Sequence, residues 1–346
     1  MPRFESSIKS TTDRLITPRQ LADAIGASES SVRRWVDAGR VALSRTSGGH
    51  RRIPLAEAVR FIRQSQATVV RPDVLGLSEV TGMAAAGAVG EPRGRAAGDE
   101  TERLYQALAA GDRVMTRGIV LSWYLGGRAI AALIDGPLRA AMQRMGDLWR
   151  HSDAGILLEH RATEIVLETL AHLRTLIPPA SARAPVTTGG SPSNEFYAIP
   201  SLAASIILAE AGLRDINYGP NTPPLLLAAA AEQHDARLVW FSISTAGREP
   251  TLQRQLRALA RRLAPRGATL VIGGNYAYPH IPRNEPNVVE MQSMAELSAF
   301  AAGIVAAVAT ATVRPSHAGG DVDVDADASV HSARRRPRFR STRTST

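Results

Sequence analysis

Residues 28–53, SESSVRRWVDAGRVALSRTSGGHRRI, constrain the fold more than any other stretch of the chain. Just before them, LITPRQLADAIGA carries Thr17 as a helix cap, Pro18 at the first helical position, and Leu21, Ala22 and Ile25 at one-turn spacing. Gly26 ends that helix. In the next one Val32 and Val36 share the face that must pack on Leu21 and Ile25, with Trp35 beside it, so Arg33 and Arg34 turn outward. After Gly39, a short apolar run from Val41 to Leu43 leads through Arg45 to a hairpin tip at Gly48-Gly49, flanked by His50, Arg51 and Arg52. Arginines on an open helix face can meet a major groove, and a cationic hairpin can grip phosphates. The same residues are also compatible with a three-helix interaction module that has a solvated charged surface.

Residues 14–66 resemble the winged helix-turn-helix of the MerR family. The resemblance implies that the second helix enters the major groove of double-stranded promoter DNA, with Arg33 and Arg34 at base edges. It also implies a wing whose Arg45, His50 and Arg51 hold the neighbouring backbone.

Charge placement agrees. Only Lys9 among the 41 basic residues is lysine, so arginine abundance by itself says little. Location says more: Arg14 to Arg63 carries a balance of +6, six further arginines fall between Arg334 and Arg343, and the rest of the chain is slightly negative. The absence of cysteine excludes disulfides, thiolate metal sites and cysteine nucleophiles. No signal-peptide pattern and no membrane-length apolar run occur, so a cytoplasmic protein without membrane contact is expected.

The 346 residues leave room for several compact units. Residues 67–100 are rich in Ala, Gly and Pro and read as a flexible linker. Helical spacing returns over 101–178, with breaks at Gly111-Asp112, Gly126-Gly127 and residues 150–154, and a kink or restart at Pro137. That pattern predicts a four-helix bundle. Over 184–311, five short apolar runs alternate with helices, which predicts a doubly wound, five-stranded parallel (flavodoxin-like) sheet with ligands at the strand carboxyl ends. Residues 312–346, acidic and then Arg-rich, read as a disordered tail. The expected fold is thus multidomain, α and α/β.

Within the bundle, Trp149 precedes Glu159-His160 by nine residues, and the intervening turn lays the end of one helix beside the start of the next. An indole, a carboxylate and an imidazole can converge on one mouth. Taken alone, each reads more readily as an ordinary buried Trp or part of a helix-surface Glu-His pair, and it is the spacing that sets them apart. The segment resembles the cobalamin-binding bundle of the CarH/LitR photoreceptor regulators, as do LYQALAAGD, MGDLW and EHRATE. The resemblance implies that Trp149, Glu159 and His160 cover the upper face of adenosylcobalamin or a related tetrapyrrole, and that the chain is a regulator, most readily a repressor, whose sensory half sets its oligomeric state, dimer or tetramer.

The same resemblance places the family's lower-ligand motif, acid-x-His-x-x-Gly, at Glu195 to Pro200. Here the cobalt-ligand position holds Tyr197 and the glycine is Pro200, so no metal ligand is assigned. Gly219, Ser242, Ser244, Gly273 and Gly274 match places that accommodate the nucleotide tail, although small residues at strand ends are common in sheets of this kind. The family's light-locking histidine after the tryptophan is Arg150. Three roles stay open for the sensory half: a cofactor-responsive regulator, an oligomerisation or partner-docking module that has lost the cofactor, and a corrinoid methyl-transfer protein. No phosphate loop, metal-ligand histidine pattern or other catalytic set occurs, and a non-enzymatic role is expected.

Overall fold

The computed structural model describes residues 14–45, 49–81, 97–149, 153–245 and 250–313. The amino-terminal unit runs β1 (Leu15–Ile16), α1 (Pro18–Ile25), α2 (Glu29–Asp37), β2 (Ser44–Arg45), β3 (Arg51–Pro54) and α3 (Leu55–Ser65). Its antiparallel sheet has the order β1-β3-β2, with Ser44 opposite Arg52 and Ile16 opposite Ile53. Thr17 and Gln20 form a reciprocal capping box that fixes the start of α1. Leu21, Val32, Val36, Ile53 and Ile62 are buried together, each a gain of about 1.5–3 kcal/mol over exposure, and Trp35 packs on Phe61 with ring centres 5.0 Å apart. Residues 46–48, which include part of the hairpin tip, lie outside the described residues.

The stretch read as a flexible linker is packed over 69–80. Val69, Leu75, Leu77 and Val80 are buried, 3-10 turns form at Pro72–Leu75 and Ser78–Val80, and the Val70 and Arg71 amides both donate to the Ala24 carbonyl. These irregular turns bury side chains without a helical or strand period, which hides them from periodicity. Residues 82–96 lie outside the described residues.

The bundle comprises α4 (Ala97–Ala110), α5 (Arg113–Leu125), α6 (Ile130–Leu133), α7 (Arg139–Leu148) and α8 (Asp153–Thr175). A π turn, Ile134–Leu138, joins α6 to α7 at Pro137, and Gly136 there leaves helical geometry (φ −95, ψ −106). The proline therefore bulges one helix rather than dividing it, and four helical arms remain. Gly155 is pressed against α7: a Cβ would come within 2.2 Å of the Leu148 carbonyl oxygen. The end of α7 and the start of α8 thus lie side by side.

The last unit alternates β4 (Val186–Gly190), α9 (Ile199–Glu210), β5 (Arg214–Asn217), α10 (Pro224–Gln233), β6 (Leu238–Ser242), α11 (Pro250–Leu263), β7 (Thr269–Gly273), β8 (Val288–Met291) and α12 (Met294–Val313). All pairings are parallel, in the order β5-β4-β6-β7-β8. Period-two alternation sends Val239, Phe241, Leu270 and Ile272 to a core under α10 and α11, and Leu238, Trp240 and Val271 to the face shared with α9, α12 and the bundle. The chain leaves β4 for β5 on one side and returns to β6 on the other, which opens a crevice at the carboxyl ends.

Candidate functional site

Bundle and sheet meet at that crevice. Asp135, in the π turn, accepts the amides of Met294 (3.0 Å) and Ala295 (2.9 Å), so the bundle caps the first turn of α12. The contact fixes a cleft of about 800 Å³. One wall is apolar, from Ile134, Leu138 and Met142 of the bundle with Met294 and Leu297 of α12. The strand ends supply Ser242, Ser244, Gly273, Gly274 and Asn275, and Tyr197 and Pro200 enter from the loop after β4 and the start of α9.

Six residues singled out in the sequence therefore line one cleft: Tyr197, Pro200, Ser242, Ser244, Gly273 and Gly274. Glu159 does not line it. Burial, and then the Glu159 carboxylate, push the Tyr197 phenol up to about 12. Thr163 Oγ1 donates to Glu159 at 2.8 Å, and His160 is exposed, with Nε2 at 3.8 Å from the Glu159 carboxylate. Trp149 caps α7, is 59% exposed and is not among the residues that line the cleft. Arg150 lies outside the described residues.

Glu195 and Gly219 sit elsewhere. Both Glu195 oxygens accept the Ser244 amide, at 3.0 and 2.9 Å, and the side chain is buried behind the cleft, in the lining of a small cavity with Gln255 and His280. Burial raises its carboxyl above the usual range against those hydrogen bonds, so it anchors the loop after β6 rather than facing a ligand. Gly219 accepts the Ser191 amide at 2.9 Å and closes the loop over β4.

In the amino-terminal unit, Arg33 and Arg34 are exposed on α2. Arg33 pairs with Glu29 at 2.7 Å, and Arg34 donates to Ser31 at 3.3 Å. Arg51 is tied to Asp37, at the end of α2, at 3.0 Å. Arg45 ends β2, and His50 is exposed next to β3.

Residues 100–174 match the family model described as a B12 binding domain. The chain carries a B12 binding domain over its helical bundle. No curated protein matches it in sequence. Among solved structures, the monomethylamine corrinoid protein of Methanosarcina barkeri is similar at 14% identity and a TM-score of 0.46, over 60% of this chain and 100% of that one. The methanol:cobalamin methyltransferase complex MtaBC of the same organism is similar at 14% identity and 0.31, over 64% and 83%. A cobalamin-binding protein from Desulfitobacterium hafniense DCB-2 is similar at 17% identity and 0.30, over 59% and 98%. At TM-scores below 0.5 these are likenesses in outline, and none assigns a ligand to this chain.

The cleft fits one part of a corrinoid and not another. Its apolar wall suits the face of a macrocycle, and Gln143, Ser242, Asn275 and Gln292 offer partners for amide side arms. It offers no imidazole to cobalt among the described residues. A phenol held protonated to about 12 is a poor donor to cobalt. Among the described residues no cluster of His, Asp or Glu can hold a metal ion, and no helix is long and apolar enough to cross a membrane.

Sequence reasoning missed Asp135 and the pairing of Trp240 with Asp215, in which Trp240 Nε1 donates to Oδ1 at 2.8 Å. An aspartate inside the apolar run DINY was the available signal, since a charge in a parallel strand requires partners.

Proposed function

We propose that the chain is a DNA-binding transcriptional regulator, a repressor, whose carboxy-terminal half takes a tetrapyrrole of the corrinoid class and sets its oligomeric state. The reading rests on one observation: an exposed arginine face on α2 belongs to a unit wired directly to the B12 binding bundle. Arg63, at the end of α3, donates to the carbonyls of Tyr124 and Arg128 in the bundle and to Glu210 of α9 at 3.3 Å. A ligand that shifts bundle against sheet therefore acts on the unit that meets DNA. In this reading α1, α2, β2 and β3 form a winged helix-turn-helix. Arg33 and Arg34 approach base edges, Arg45, His50 and Arg51 hold phosphates, and two or more copies engage repeated or palindromic half-sites with added avidity.

Trp149, Glu159, His160 and Tyr197 would stand around the bound group, and the cleft's apolar wall would exclude water from it. A bound corrinoid would supply a cobalt centre with an exchangeable ligand, which is the chemistry a sensor needs. The protein carries no catalytic role in this reading.

The neutral phenol of Tyr197 favours a second reading, in which bundle and sheet serve only as an oligomerisation or partner-docking module. A methyl-carrying corrinoid protein would need an imidazole for its cobalt, and by the motif resemblance that position is Tyr197 here.

One experiment separates these readings. Full-length protein is mixed with corrinoid in the dark, desalted and scanned for absorbance, then run on gel filtration and tested in mobility-shift assays on upstream genomic fragments over a range of salt. Retained colour with salt-sensitive DNA binding supports the proposal. DNA binding without colour leaves the docking module, and no salt-sensitive DNA binding removes the regulator.

A further inference from the structure

The first turn of α12 is held from two sides. Its own capping box serves two amides: Glu296 donates to Ser293 Oγ at 3.1 Å, and Gln292 donates to Glu296 Oε2 at 2.8 Å. The Met294 and Ala295 amides lie between these in the chain, and a helix start ordinarily leaves such amides to water. Here they donate to Asp135 instead, at 3.0 Å to Oδ1 and 2.9 Å to Oδ2, from 159 and 160 residues away in the chain.

Asp135 stands where the two walls of the cleft join. Ile134, Leu138 and Met142 recur at one-turn spacing and form the bundle wall, with Arg139 and Gln143 beside them. Asp135 belongs to the same π turn, Ile134–Leu138, without lining the cleft itself. On the facing wall Ser293, Met294 and Leu297 line the cleft from the start of α12. The carboxylate therefore bridges both walls from outside the space between them. Arg139 Nη2 stands 3.5 Å from Oδ1, so the bridge carries its own counter-charge.

We propose that Asp135 is a positioning residue for the occupant of the cleft: it holds the bundle wall and the α12 wall face to face before a ligand arrives, and ligand and bridge then stabilise each other. The inference rests on the corrinoid reading of the cleft. A ligand that packs on Ile134 and Leu138 on one side and on Met294 and Leu297 on the other binds where the walls face each other, and Asp135 favours that same arrangement. Without the carboxylate the ligand must bring the walls together itself, and its affinity falls in proportion to the molecules in which they stand apart. Reciprocity requires the converse, that a bound ligand strengthens the Asp135 contact. Occupancy of the cleft is thereby registered at the joint between bundle and sheet.

The test uses the full-length protein with two probes, hydroxocobalamin and cobinamide, a corrinoid that lacks the nucleotide. Absorbance titration gives Kd, and hydrogen exchange is followed at the Met294 and Ala295 amides. Asp135→Ala is expected to weaken each retained probe at least about fivefold. Asp135→Asn, which keeps an acceptor without the charge, is expected to fall between that variant and the wild type, and serves if Asp135→Ala does not fold. In the wild-type protein a saturating probe is expected to slow exchange at both amides at least about fivefold. Glu296→Ala removes the cap that α12 makes for itself and leaves the bundle untouched, so it separates a weakened helix end from a lost bridge. It is expected to lower the urea midpoint while changing Kd by less than about twofold. An unchanged Kd in the folded Asp135 variant, exchange that ignores the probe, or an equal loss of affinity in Glu296→Ala overturns the inference and leaves the corrinoid reading standing. Retention of neither probe by the wild-type protein overturns both.

Discussion

Arg63 and Glu210, far apart in the chain, meet at 3.3 Å, and the same guanidinium stacks on the Tyr124 ring at 3.8 Å from its centre. One side chain thereby joins all three units of the molecule. Both partners are largely buried, with side chains 17% and 25% exposed. Removing one leaves the other charge, or the Tyr124 and Arg128 carbonyls, short of a partner. Arg63→Ala is expected to cost about 1–3 kcal/mol in urea denaturation. In a double-mutant cycle with Glu210→Gln the two losses are expected to be less than additive, because the partners share one interaction. Strict additivity would show that the junction couples nothing.

Three buried carboxylates give the protein a specific pH dependence. Burial raises Glu195, Glu210 and Asp215, and in Asp215 it outweighs the Ser205, Thr187 and Trp240 donors and the Arg174 charge. Folding therefore binds protons at these sites. Their contribution is fully present below the ordinary carboxylate range and is lost as pH rises through the raised folded values. Asp215→Asn removes one such site, so stability relative to wild type is expected to improve as pH rises from about 4 toward neutrality. Urea midpoints across that range check it, and parallel curves for the two proteins would contradict it.

Much of this architecture was legible because local chemistry and tertiary packing agree. Thr17 with Pro18 marks the start of α1, Gly111-Asp112 separates α4 from α5, and the apolar runs over 184–311 correspond to five parallel strands. What escaped is set across the fold. Leu75, Leu77 and Val80 pack from 3-10 turns that carry no period. Glu195 keeps its acid, as the motif implies, but the approach of Ser244 turns it away from the cleft. Trp240 and Asp215 lie on different strands, and only the order β5-β4-β6 puts Gly189 between them.

Tyr197 marks where the cleft departs from metal ligation, and the departure is reversible by substitution. Tyr197→His places an imidazole, with an ordinary pKa near 6.5, at the position that lines the cleft and faces Glu159. On the corrinoid reading this variant is expected to retain cobinamide at least about tenfold more tightly at neutral pH. The gain is expected to fade below about pH 6, as the imidazole takes a proton and stops donating to the metal. Absorbance after desalting, repeated across pH, measures both effects. An unchanged Kd at every pH would separate residue 197 from the bound group.

Asp37 closes α2, and its carboxylate holds the Arg51 guanidinium of β3 at 3.0 Å. If Arg51 grips a phosphate, the two anions compete for it. The pair is exposed and worth only about 0–1 kcal/mol, so DNA can displace it. Asp37→Asn is then expected to tighten DNA binding about two- to fivefold across all sequences, whereas Arg51→Ala weakens it uniformly and lowers the salt slope by about one. Arg34→Ala is expected to relax sequence preference as well. The decisive comparison is Asp37→Asn in an Arg51→Ala background. If the gain disappears there, Asp37 acts by occupying Arg51. If it persists in full, Asp37 acts only as a negative charge near the duplex, and the ion pair plays no part in setting the grip of the hairpin.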